Sequence, residues 1–218
     1  TRASGAPTGI ADYTVDVAEA MAGTHSIELF HHQPKVAEGL PAPAFPIGEL
    51  PARAAANAFD AVVYQMGNAP AHDFMYGWME RVPGAVVLHD LVLHHSFARR
   101  HLESPEALAY AADPSDPGRK AEADRAHASF LAAIEEVYPG QGERLKDAHF
   151  NTTGDLLPYV FPLFEPALTS ARAVGAHNNF MVEAIAAARP DLAQALDELL
   201  LPFRLQLRAR HVFGRGGA

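Results

Sequence analysis

The sequence predicts an α/β fold in which a parallel sheet is connected by crossover helices. Three short apolar runs carry this prediction, because buried parallel strands are nearly continuous apolar segments rich in β-branched residues. Each run is followed at once by a polar turn and a helical pattern, and strands that alternate with helices favour a parallel sheet. The three predicted strands are residues 60–66, 85–89 and 172–177.

The first predicted helix lies near the start of the chain, after a small and polar opening segment. Apolar residues recur there at spacings of three and four, at Ile10, Tyr13, Val17 and Met21. Gly23 ends this helix, since glycine is the usual residue just beyond a helix. A short strand is predicted over residues 26–30, and the prolines spread over residues 33–53 exclude a long element there.

Helices follow the predicted strands and fill the second half of the chain. We predict helices over residues 71–81, 122–138, 178–188 and 191–211, the third with Asn178 as its N-cap. The segment from about residue 103 to 170 is helical throughout and is broken by prolines, so it forms a helical insertion. The predicted organisation is therefore one α/β domain over residues 1–190 and a C-terminal helix and tail over residues 191–218.

Composition excludes several classes of protein and site. The formal net charge of −9 is opposite in sign to what a nucleic-acid partner requires, so we expect no nucleic-acid binding. The chain has no cysteine, which excludes disulfides and thiolate metal sites and fits a reducing cytoplasm. No segment approaches the roughly 20 apolar residues of a membrane span, and no signal-peptide pattern is present. We therefore expect a cytoplasmic location.

Polar residues capable of chemistry follow the predicted strands directly. Because ligands of open α/β sheets bind beyond the carboxyl ends of the strands, these positions are candidate site residues. His89 and Asp90 follow the second strand and suit proton transfer or hydrogen bonding to a ligand hydroxyl. The first strand is followed by Asn68, which contacts a ligand or caps the next helix, and His177 and Asn178 end the third strand.

Two further features bear on a ligand. Gly9 begins the first predicted helix, where free backbone N–H groups and the positive end of the helix dipole suit a phosphate or a sugar hydroxyl. His89, Asp90, His94 and His95 supply nitrogen and oxygen atoms of the kind that bind zinc, but His89 and His94 are not at the spacing of a zinc-binding helix. The simpler interpretation of His94 and His95 is that they are half-exposed helix residues, and we expect no metal in the site.

The strand-end motifs, taken in order, resemble glycosyltransferase family 4. The matching segments are GIADY at 9–13, VVYQMGN at 62–68, VVLHDLVLHH at 86–95 and RAVGAHN at 172–178. The resemblance implies the N-terminal, Rossmann-like half of a GT-B fold, in which this half binds the acceptor and a C-terminal domain binds the nucleotide-sugar. It implies retaining transfer of a sugar to a hydroxyl acceptor, with the nucleotide-sugar as co-substrate and no required cofactor.

The resemblance also assigns roles to individual residues. It implies that His89 and Asp90 are the catalytic positions, with His89 contacting the reacting sugar or acceptor. Gly9 then approaches the donor diphosphate, and Asn68, His177 and Asn178 line the substrate cleft. Family members have a strand before the glycine loop and a second domain that this sequence lacks. We therefore expect the chain to be the acceptor-side part of a longer enzyme, and to be inactive without the donor domain.

Two other functions stay open. The same fold can serve as a non-catalytic module that binds a sugar or a protein, or the histidines between His89 and His95 can serve a metal-dependent hydrolase. The insertion also has two interpretations, which concern Phe150, Tyr159, Phe161 and Phe164. These aromatic residues either pack against the core or form a surface that covers the acceptor or touches a membrane or a partner protein.

Overall fold

The computed structural model describes residues 9–57, 59–103, 108, 109, 112, 113, 115–142 and 157–192. Within these ranges the chain is an α/β protein with two small parallel sheets, an arrangement compatible with a Rossmann-like fold. The strands are β1 (Leu29–His31), β2 (Ala44–Pro46), β3 (Val63–Met66), β4 (Ala85–Leu88) and β5 (Ala173–Ala176). β1 pairs with β2, and the second sheet has the order β3-β4-β5 with β4 in the centre.

Helices connect and cover the strands, and short 3-10 turns lie at residues 47–49, 70–72 and 190–192. The helices before the insertion are α1 (Gly9–Met21), α2 (Leu50–Asn57), α3 (Met75–Arg81) and α4 (His94–Leu102). Those that follow are α5 (Pro117–Val137), α6 (Leu157–Val160), α7 (Glu165–Leu168) and α8 (Asn179–Ala188). No helix among these described elements is both long enough and apolar enough to cross a membrane.

The core lies on both faces of the three-stranded sheet. Residues of the central strand and its neighbours are fully buried, among them Val86, Leu88 and Val174. The insertion contributes to the same core through Phe130 and Ile134 of α5, which pack with α4 beside the sheet. Burial on both faces explains why the strand sequences are continuous apolar runs rather than alternating ones.

The predicted strands of the main sheet and the first helix are confirmed, with shifted ends. β3, β4 and β5 lie inside the predicted ranges, and α1 ends at Met21 as Gly23 indicated. Asn178 is the N-cap of α8, and its Oδ1 accepts a hydrogen bond from the Met181 backbone N–H at 2.9 Å. Asparagine is among the residues preferred at the N-cap, and for this reason the start of α8 could be predicted from the sequence.

Other predictions need correction. The strand predicted at 26–30 is observed at Leu29–His31, and the helix predicted at 71–81 divides into a 3-10 turn at Pro70–His72 and α3. The proline-rich segment 33–53 contains short elements, β2, a 3-10 turn and the first turn of α2, so the prediction of no long element there is confirmed. The helix predicted at 191–211 lies outside the described residues, apart from the 3-10 turn that ends at Leu192.

Candidate functional site

The candidate site lies at the carboxyl edge of the three-stranded sheet. Met66, Leu88 and Ala176 are partners in register at the ends of the three strands. The next residues along the chain are Gly67, His89 and His177, so the parallel register brings these three positions side by side. The predicted strand-end residues therefore gather at one edge, where ligands of open α/β sheets bind.

His89 and His177 form a hydrogen-bonded imidazole pair. Nδ1 of His89 lies 3.1 Å from Nε2 of His177, and the ring centroids are 4.6 Å apart. The other ring nitrogen of His89, Nε2, lies 2.8 Å from Oε1 of Gln65, which is buried in β3. Both nitrogens of His89 are thus engaged by protein groups.

Tyr13 of α1 covers the imidazole pair. Its ring meets His89 edge-on at a centroid distance of 4.7 Å and meets His177 in the same way at 5.2 Å. The Tyr13 hydroxyl is buried and has no hydrogen-bond partner among the described residues, and burial raises the pKa of Tyr13 to about 12. The first turns of α1 therefore pack directly on the predicted catalytic histidine.

The start of α1 also reaches the end of β3. A Cβ atom placed on Gly67 would lie 2.3 Å from Cδ1 of Ile10 and 3.3 Å from Oδ2 of Asp90, so a larger residue at Gly67 would require the Ile10 side chain to move. Asp90 accepts a hydrogen bond from the Asn68 backbone N–H at 3.1 Å. Gly9 is exposed at the first position of α1, with open space around it. Ile10 and Tyr13, in the first turns of α1, therefore lie at the same edge of the sheet as Gly67 and His89.

Asn68 does not cap the 3-10 turn or the helix α3 that follow it in the chain. Its side chain instead belongs to a polar network with α4. Its Oδ1 accepts from the backbone N–H of Ser96 in the first turn of α4 at 2.9 Å, and Arg99 donates to its carbonyl oxygen at 2.7 Å. Arg99 also pairs with Asp73 at 2.7 Å, and Asp73 accepts from the Ser96 hydroxyl at 2.6 Å. Asn68 thus caps α4, which lacks a side-chain cap of its own.

The site histidines are neutral at pH 7. Burial, followed by the charge of His177, lowers the pKa of His89 to about 4, and the charge of Asp90 opposes this shift only in part. The pKa of His177 is also lowered, because neighbouring protein atoms crowd its ring although the residue as a whole is exposed. His72, buried beside Gly67, has a pKa lowered mainly by burial. Neutral imidazoles each offer one donor and one acceptor.

The histidines from 89 to 95 do not come together as metal ligands. His94 is buried and its Nδ1 lies 2.9 Å from the carbonyl oxygen of Phe161, while His95 is exposed on α4. Within the described ranges, no group of three or more His, Asp or Glu side chains is arranged to hold a metal ion. The expectation that His94 and His95 are both half-exposed is wrong for His94, because the segment after α6 covers it.

Two site residues, Gln65 and Tyr13, were not predicted from the sequence. Gln65 is the one polar residue within β3, and a polar side chain in a buried strand needs a hydrogen-bond partner. Tyr13 follows Ile10 by one helical turn and therefore lies on the same face of α1. Both signals are present in the sequence. The partners Asp73, Ser96 and Arg99 carry no such signal, since only the fold brings them to Asn68.

A scan against models of known protein families, a search of curated proteins and a search of solved structures each found no match to this chain. The resemblance described above therefore depends on the motif residues themselves. The sheet edge where Tyr13, His89 and His177 meet is the part of the described chain where chemically capable side chains gather.

Proposed function

We propose that the chain is the acceptor-binding half of a retaining glycosyltransferase, which transfers a sugar from a nucleotide-sugar donor to a hydroxyl acceptor. The observation that carries the proposal is the contact of Tyr13 with His89 and His177. This contact joins the start of the glycine-led helix to the strand-end histidines, and these are the two parts that the family resemblance requires in one cleft.

The chemistry of the edge suits a ligand rich in hydroxyl groups. Neutral imidazoles and the amide of Asn178 both donate and accept hydrogen bonds, as alcohol groups do. Phe180, on the first turn of α8 and three residues after His177, exposes 71% of its surface and offers an apolar face to a sugar ring. The exposed N-terminus of α1 supports binding of the donor phosphates, because the positive end of a helix dipole attracts an anion.

The catalytic role of His89 and Asp90 is part of this proposal. His89 is engaged by Gln65 and His177, and Asp90 is held by Asn68, so both side chains have fixed orientations. Fixed groups act on a bound substrate without the cost of reorganisation, which is how positioning contributes to rate. The proposal leaves donor binding to a second domain, and the chain alone supplies one wall of the cleft.

A titration followed by NMR tests the proposal on the chain as it is. UDP-glucose, GDP-mannose and free glucose are added separately to the isotope-labelled chain, up to concentrations that detect a Kd of about 1 mM. Binding should change the NMR chemical shifts of the Gly9 to Tyr13 backbone amides and of the His177 ring. These changes should be smaller in His89→Gln. The control His95→Gln, on an exposed position of α4, leaves them unchanged. Shifts confined to other surfaces would contradict the proposal.

The rival functions give different results in the same samples. A protein-binding module shows no shift with any sugar or nucleotide. A sugar-binding module responds to glucose but not to either nucleotide-sugar. A metal-dependent hydrolase binds zinc at unit stoichiometry through His94 and His95 and loses this binding in His95→Gln. The burial of His94 against Phe161 gives that last outcome no structural support.

A further inference from the structure

We infer that Gln65, His89 and His177 form one directed chain of hydrogen bonds that leaves Nδ1 of His177 as the free acceptor facing the ligand. Oε1 of Gln65, in β3, lies 2.8 Å from Nε2 of His89. An amide oxygen only accepts hydrogen bonds, so Nε2 of His89 carries the proton. A neutral imidazole has a single N–H, and Nδ1 of His89 therefore carries a lone pair.

The second bond follows from the first. Nδ1 of His89 lies 3.1 Å from Nε2 of His177, and since Nδ1 can only accept, Nε2 of His177 is the donor. His177 then has its own lone pair on Nδ1. Among the described residues, His177 makes no other hydrogen bond, and it is exposed at the end of β5. The chain thus runs from a buried amide oxygen to a ring nitrogen that has no partner among the described residues, on an exposed residue at the end of the sheet.

Burial keeps the order of the chain fixed. Gln65 is 9% exposed, so water does not compete for its amide oxygen, and a buried hydrogen bond is stronger than an exposed one. The ring of Tyr13 covers both imidazoles and adds no competing hydrogen bond, because its hydroxyl is unpartnered within the described part of the chain. Gln65 is therefore the residue that selects the tautomers of both histidines.

This assignment changes the roles of the two histidines. His89, with both nitrogens occupied, is a positioning residue, and His177 is the group that accepts a hydrogen bond from a ligand hydroxyl. The family resemblance, and with it the catalytic role proposed above, gives the ligand contact to His89, whereas in this inference that contact belongs to His177. The inference rests on the proposed function for the identity of the ligand group, a hydroxyl, whereas the tautomers themselves are measurable without any ligand.

Long-range ¹H–¹⁵N correlation spectra of the histidine-labelled chain test the order directly at neutral pH. We expect His89 and His177 both to carry the proton on Nε2. In Gln65→Glu the carboxylate still only accepts, so the same tautomers are retained. In Gln65→Met, which has a similar shape and no hydrogen-bonding amide, His89 and His177 become tautomer mixtures. A wild-type His89 protonated on Nδ1 would overturn the inference, even if the Met variant does not fold.

Chemical modification tests which of the two histidines has an accessible, unprotonated ring nitrogen. Diethyl pyrocarbonate attacks an accessible, unprotonated imidazole nitrogen, and peptide mass spectrometry reports the rate at each position. We expect His177 to react at a rate comparable to exposed His32, and His89 about tenfold more slowly. Faster reaction at His89 than at His177 would reverse the two roles. Neither measurement uses a sugar. The order of the hydrogen bonds can therefore be confirmed or refuted whether or not the transferase proposal holds.

Discussion

The ring of Tyr13 stands edge-on to the imidazole of His89, with 4.7 Å between ring centroids and 81° between ring planes. This contact joins α1 to the central strand of the sheet, and it shields the imidazole from water. The pKa of His89 is low mainly because of burial, so the tyrosine ring is a cause of that shift. Stability and the charge state of the site are thus coupled through one side chain.

Replacing Tyr13 separates the contribution of its ring from that of its hydroxyl. The buried hydroxyl has no partner in the described part of the chain, so Tyr13→Phe removes an unsatisfied polar group and changes the free energy of unfolding by no more than about 1 kcal/mol. Tyr13→Ala removes the ring and costs about 2 kcal/mol or more. Urea denaturation measures both, with the exposed Tyr159→Phe as control. A large loss in Tyr13→Phe would reveal a partner for the hydroxyl.

Lowering the pH from about 6.5 to about 4 should reduce the free energy of unfolding. The pKa of His89 is lowered from 6.5 to about 4, so in this interval the unfolded chain binds a proton that the folded chain does not. Stability is therefore complete above pH 6.5 and falls as the pH drops toward 4. The loss due to His89 is below about 3 kcal/mol, because the ring is partly solvated.

Urea denaturation at a series of pH values measures this effect. Wild type should lose stability steadily below pH 6.5, and His89→Gln should show a shallower dependence, since glutamine does not titrate. The control His32→Gln, at an exposed position stacked on Phe74, should keep the wild-type slope. Equal slopes in all three proteins would mean that the imidazole of His89 is solvated in the folded state.

Alanine substitutions at two glycines, Gly84 and Gly77, should have opposite effects on stability. A Cβ on Gly84 would lie 2.3 Å from the carbonyl oxygen of Val62, which also accepts a hydrogen bond from the Ala85 N–H at 2.8 Å. Gly84→Ala must therefore separate the starts of β3 and β4, and we expect a loss of about 2–3 kcal/mol. Gly77, in α3, has open space around it, so Gly77→Ala should gain about 0.5–1 kcal/mol. The midpoints of thermal unfolding of the two variants measure these effects. Similar midpoints would contradict the close approach of Gly84 to the carbonyl oxygen of Val62.

The aromatic residues at the end of the insertion have different roles. Phe164 is 4% exposed and belongs to the core, and Phe161 packs partly against it, whereas Tyr159 is 72% exposed. Phe150 lies outside the described residues. Phe164→Ala should therefore cost about 3–5 kcal/mol, while Tyr159→Ala should leave the free energy of unfolding nearly unchanged. If Phe164→Ala stays fully stable and loses only ligand binding, the surface interpretation is right for Phe164 also.

Local chemistry explains what could be predicted from the sequence. Apolar runs bounded by turn residues identified β3, β4 and β5, and Asn178 identified the start of α8. The common edge of His89 and His177 followed from the parallel arrangement alone, because equal strands in register end together. Each of these features depends on residues that are close together in the chain.

Features that depend on distant residues escaped prediction. The Asn68 side chain caps α4 through Ser96, 28 residues later, and no local pattern indicates such a partner. The burial of His94 depends on Phe161, 67 residues away, and on the path of the insertion. The order of hydrogen bonds from Gln65 to His177 likewise requires knowing which strands are neighbours.

The placement of the insertion between two adjacent strands has a kinetic consequence. β4 and β5 are paired in the sheet, yet His89 and His177 are separated by 88 residues of chain. Closing a loop of this length is entropically costly, and chains with such non-local contacts fold slowly. We therefore expect the imidazole pair to form after the more local contact between α4 and α5. A nascent chain released before residue 177 would acquire much of its hydrophobic core without acquiring its site.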